Sequence, residues 1–133
     1  MKTRLIIKVI GTSHIFVGVL LFLLILMPND IAANIFDAPS NEAIIWFKTS
    51  MTVVGSMNIG LGFLLIISCL INDFKSEKYI LLGEIAMMTS ILFGALFNQF
   101  STFTATGPPA PIWAMLIFNL FISIYGYFKG KKS

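Results

Sequence analysis

Cysteine and histidine occur once each in the 133 residues, as Cys69 and His14, and charged side chains make up only 11% of the chain. One cysteine excludes an internal disulfide, a CxxC redox pair and a cysteine-based zinc site. One histidine excludes a multi-histidine zinc or haem centre. No glycine-rich phosphate loop is present, and no polar segment is long enough to form a nucleotide-binding domain. A Ser-His-Asp triad would have to be improvised from His14 and scattered serines. The nine Lys and Arg residues fall in short clusters beside apolar runs, not in a nucleic-acid patch. The sequence therefore predicts no metal, no cofactor and no nucleic-acid partner.

What it has in quantity is apolar surface. Hydrophobic residues reach 57% and the mean hydropathy is +0.91. A soluble domain carries about 25% charged residues, so lipid must be part of this chain's solvent. Four runs approach the ~20 apolar residues a crossing needs. They lie at about residues 5–27, 43–71, 79–98 and 111–128. The first follows Lys2, Arg4 and Lys8 in the manner of a signal peptide. It is too long for one, however, and no A-x-A site follows, so it reads as an uncleaved span. Only helices and closed barrels satisfy their backbone in lipid, and continuous runs favour helices. The expected fold is a single all-α, four-transmembrane-helix bundle, with Cys69 as a small packing residue.

Charge placement predicts the orientation. Lys2, Arg4, Lys8, Lys75, Lys78, Lys129, Lys131 and Lys132 share one side of the four-span arrangement, and Lys48 alone lies near the other. The positive-inside rule makes the first side cytoplasmic, giving an N-in/C-in protein of the cell (inner) membrane. Asp30, Asp37 and Glu42 then face outward. Trp46 and Trp113 mark the outer boundary, and Tyr79, Tyr125 and Tyr127 the inner one. Lys48 is expected to snorkel at the outer edge.

Four polar residues from four different runs, His14, Asn58, Glu84 and Asn119, fall between the inner interface and a little past the midplane. Ionisable groups are costly there, so they are expected to face the bundle interior as one cluster. Glu84 could be protonated, or paired with His14 or Lys8, or hydrogen-bonded to an asparagine. Helix spacing agrees. Gly11, His14 and Gly18 share a face of the first run; Gly55, Asn58 and Gly62 share a face of the second at the same offsets. Glycines let membrane helices approach closely, so both faces are expected to turn into the bundle. Asparagines in such helices also serve simply as interhelical glue.

The stretch Gly94-Ala95-Leu96-Phe97 to Ser101, then Thr106-Gly107-Pro108-Pro109 and a final apolar run, resembles the DoxX-like superfamily. The likeness is to its bacterial four-helix branches, in which a polar Gly-Pro turn precedes the last span. It implies a four-helix membrane fold. Members of the superfamily include subunits of quinone-linked sulfur oxidation and assembly helpers for membrane proteins. No catalytic residue is carried over from it.

Three functions remain. The favoured one is a non-enzymatic accessory or assembly subunit, or a lipophile-binding bundle; its partners are the lipid bilayer with a lipophilic small molecule or another membrane protein, and homo-oligomers stay open. The second is a membrane enzyme or redox subunit using His14 and Glu84 on a quinone, sterol or polyprenoid. The third is a small proton-coupled transporter carrying its proton on Glu84.

Overall fold

Apolar runs of this length bond their own backbone only as helices, and the computed structural model is all-α across the residues it describes, 1–36, 40–71, 73–101 and 110–132. Helix α1 spans Thr3–Leu23 and tightens into a 3-10 turn over Leu24–Leu26. A short α2, Asn29–Phe36, follows, then α3, Asn41–Ser68, α4, Phe74–Ser101, and α5, Ala110–Lys129. Four of these, α1 with its turn, α3, α4 and α5, are long and apolar enough to cross a membrane. The chain is thus a small four-span helical membrane protein. Large side chains such as Phe16, Met57, Leu64, Phe93 and Phe121 stand exposed on its flanks, which suits lipid and not water.

Local chemistry sets the helix starts. Ser40 is extended, and its hydroxyl accepts from the Ala43 N–H at 3.2 Å, an N-cap for α3. Asp73 Oδ2 accepts from the Ser76 N–H at 2.9 Å and from its hydroxyl at 2.6 Å. That cap starts α4 at Phe74, so Phe74–Lys78, read in the sequence as part of a charged connection, already belongs to the helix. Likewise α2 occupies part of the first connection. It opens after Pro28 with Asp30 in its first turn, a favourable place for an acid. Asp37 and the Thr106-Gly107-Pro108-Pro109 turn lie outside the described residues.

Helix α1 is the centre of the assembly. It packs along α3 on one side and against α5 and α4 on the other. The α1–α3 contact is antiparallel and very close. A Cβ added to Gly18 would come within 2.6 Å of the Gly55 carbonyl oxygen, and one on Gly55 within 2.7 Å of the Gly18 oxygen. Gly11 faces Gly62 in the same way, 2.8 Å from its oxygen. The four glycines predicted to line packing faces therefore face one another. The contacts also repeat under exchange of the helices: Gly18 meets Ile59 as Gly62 meets Ile15, and Gly11 meets Ile66 as Gly55 meets Phe22.

At the lysine-rich end, Ile6, Ile7, Ile10, Leu65, Cys69 and Leu81 form one apolar cluster. Toward the opposite end, Val17, Leu21, Met88, Met115 and Leu116 form a second. Chain ends meet at the first of these ends. The Thr3 N–H donates to the Lys131 carbonyl at 3.0 Å, and the Lys131 N–H to the Met1 carbonyl at 3.2 Å.

Candidate functional site

Between the two apolar clusters lies a polar layer. His14, Asn58, Glu84 and Asn119 each sit about ten residues from the lysine-rich end of their helices, ~15 Å along the axis at 1.5 Å per residue. The predicted third run begins at residue 79, but α4 begins five residues earlier at Phe74, and this brings Glu84 level with the others.

Hydrogen bonds join three of the four. His14 Nδ1 lies 2.8 Å from Asn58 Oδ1 on α3. His14 Nε2 lies 2.8 Å from Glu84 Oε1 on α4. Both His14 and Glu84 are buried, at 1% and 3% exposure. The Asn58 Nδ2 donates to the Val54 carbonyl at 2.9 Å. This turns Oδ1 toward the ring, so His14 Nδ1 must carry a hydrogen. One further proton is then shared across the Nε2···Oε1 contact. With it on the ring the pair is imidazolium and carboxylate; with it on Glu84 the pair is imidazole and carboxylic acid. Either way the pair is neutral as a whole, which lowers the cost of burying it. Glu84 thus bonds His14, the partner that the sequence left open beside Lys8.

Asn119 lies in the same layer but bonds to none of them. It is 0% exposed, and both its Oδ1 and Nδ2 lack a hydrogen-bond partner among the described residues. One turn closer to the lysine-rich end, Ser123 is equally buried and its hydroxyl equally unpartnered. An unsatisfied buried polar group costs about 1–3 kcal/mol. Sequence reading missed Ser123, because one serine in an apolar run is unremarkable by composition. The i, i+4 spacing of Asn119 and Ser123, continued by the buried Gly126, was the signal available.

Two further polar contacts lie nearer the lysine-rich end. Arg4 on α1 donates from Nε and Nη2 to Glu77 Oε1 on α4, at 3.0 and 2.9 Å. Glu77 is 1% exposed although it falls between the second and third runs predicted from the sequence. Its spacing of two helical turns from Glu84 puts both acids on one face. Lys78 donates to the carbonyls of Gly126, Tyr127 and Gly130, closing the last turn of α5.

Lys48 differs from expectation. It is buried and turned inward, where its ammonium donates to the Met27 carbonyl and, at 2.7 Å, to Asn29 Oδ1. The 3-10 turn after α1 leaves that carbonyl without a helical partner, and the lysine binds it in place of snorkelling. Among the described residues, no three His, Cys, Asp or Glu side chains gather where they could hold a metal ion. Comparison of the chain with protein-family models, curated proteins and solved structures gives no match.

Proposed function

We propose that this chain is a non-enzymatic subunit of the cell membrane, of DoxX-like type, which binds a lipophile or another membrane protein through its lipid-facing helices. Asn58, His14 and Glu84 form its internal lock. One observation carries the reading: both ring nitrogens of the buried His14 are already engaged, one by Asn58 and one by Glu84. A general acid or base must reach its substrate's proton, and this ring has no nitrogen left to do so. The same bonds tie α1 to α3 and α4, which is the work of interhelical glue. The DoxX-like affiliation rests on Gly94 to Ser101 and on the Gly107-Pro108-Pro109 stretch.

Both termini are placed on the cytoplasmic side. Eight of the nine basic residues belong to the end where α1 and α4 begin and α3 and α5 finish, and the positive-inside rule assigns that end to the cytoplasm. Exposed Tyr79 and Tyr125 at this end, and exposed Trp46 at the other, suit the two headgroup belts.

The test uses the full chain, purified in mild detergent as wild type and as Glu84→Gln. A lock predicts that the glutamine variant folds, keeps the bond to His14 through its amide, and retains whatever lipophile or membrane partner the wild type carries. Turnover of a quinone, sterol or polyprenoid by the wild type, abolished in a well-folded Glu84→Gln protein, would replace this reading with the enzymatic one.

A further inference from the structure

The lock leaves α5 out of the hydrogen-bonded layer. Asn119 Oδ1, Asn119 Nδ2 and the Ser123 hydroxyl are three buried polar atoms without a partner among the described residues, on one face of one helix. Packing on either side fixes where that face points. Gly126 abuts Ile6 and Leu81, since a Cβ on it would meet both side chains. Met115 and Leu116 lie in the cluster of Val17, Leu21 and Met88. Asn119 and Ser123 fall between these contacts, on the side of α5 that faces α1 and α4, at the level of His14 and Glu84.

Ser123 also makes no hydrogen bond to its own helix. Thr12, Thr49, Thr52, Ser56 and Ser90 each donate their hydroxyl to the carbonyl four residues earlier. Ser123 does not. Buried polar atoms in folded proteins are almost always satisfied, by the protein or by a bound polar molecule. The atoms here comprise a donor, an acceptor and a hydroxyl that serves as either. A ketone or quinone oxygen would accept from Nδ2 and from Ser123 but would leave Asn119 Oδ1 unmatched. A hydroxyl group both donates and accepts, so it matches the set.

We propose that Asn119 and Ser123 form an intramembrane binding site for a hydroxyl oxygen, supplied by water or by the alcohol head of a lipophile, that joins α5 to the His14–Glu84 layer. The site depends on the burial of these two side chains. It stands whether or not the chain proves to be an enzyme, and whichever way it faces in the membrane.

The experiment compares wild type, Asn119→Leu and Ser123→Ala, each as the full chain in lipid nanodiscs, with helix content checked first. Infrared spectra in ordinary and oxygen-18 water read the first source. A bound water gives an O–H stretch that moves with the isotope and is lost in both variants. Thermal melting with farnesol, against its methyl ether, reads the second. An alcohol site raises the wild-type midpoint with farnesol more than with the ether, which cannot donate, and both variants lose the difference. Either result supports the site. The proposal is overturned if no isotope-sensitive band distinguishes wild type from the variants and farnesol and its ether act alike, whatever the melting of Asn119→Leu. Should Asn119→Leu fail to fold, Ser123→Ala, which removes a single oxygen, carries the same readouts alone.

Discussion

His14 is the residue on which most of the interior chemistry turns, because it touches two other helices at once. Removing one member of a buried pair strands the other, at about 3–5 kcal/mol in soluble proteins. His14→Leu should therefore lower the melting midpoint sharply, since Glu84 loses its shared proton partner. His14→Leu with Glu84→Leu should recover much of that loss, because it removes the stranded carboxyl and leaves only Asn58 Oδ1 without its former donor. Thermal melting of both single variants and the double variant measures the coupling. Additive losses would show that the 2.8 Å contact is not a functional pair. At this scale the sequence was only partly legible. The intramembrane positions of His14, Asn58, Glu84 and Asn119 could be read from hydropathy alone. Which of them bond could not, because that depends on rotation about four separate helix axes. Lys48 shows the same limit from the other direction: a lysine near a span end is ordinarily solvated, and here the Met27 carbonyl and Asn29 Oδ1 together receive its ammonium.

Among the elements, the α1–α3 pair was the most legible, since glycines at identical offsets on two runs announce two faces that can approach closely. Its prediction is steric. Gly18→Leu or Gly55→Leu would drive a side chain into the opposing backbone, where even a Cβ comes within 2.6–2.7 Å of a carbonyl oxygen. Either variant should separate the helices and disturb the His14–Asn58 bond. Gly60→Leu, where an added Cβ meets nothing within 4 Å, should leave melting nearly unchanged. Cysteine cross-linking between α1 and α3 in each variant checks this. The start of α4 was misread because its charges suggested a loop, whereas Asp73 works as a cap. Hydrogen bonds from the Ser76 side chain and backbone hold the exposed Asp73 carboxyl below its usual value. A depressed folded value means that the cap contributes fully above the ordinary aspartate range, near pH ~3.9. Its contribution is lost as pH falls through the folded value. Protection of the first-turn amides of α4, taken relative to their intrinsic exchange rate at each pH, should thus fall on strong acidification, and should fall at neutral pH in Asp73→Ala.

For the whole molecule, the strongest expectation concerns sidedness. An even number of crossings puts both ends on one side, and the lysines choose which. A tag after Lys132 should react with membrane-impermeant reagents only once cells are opened, as should a cysteine placed at Lys2, while one at Ser40 should react in intact cells. Reaction of the terminal tag from outside would reverse the assigned orientation. The spacing of apolar runs made the number of spans legible in the sequence. The centrality of α1 was not, because each run carries its own inward polar residue, His14, Asn58, Glu84 or Asn119, and nothing in their spacing says which helix the others pack around.

The bond between Thr3 and Lys131 has a consequence for how the polypeptide could be rewired. Since Thr3 and Lys131 already touch, a few added glycines could splice the chain there into a seamless loop without dragging anything through the bilayer. New ends could then be cut elsewhere, for instance between α3 and α4, and a permuted gene of that kind should still yield the same arrangement of helices.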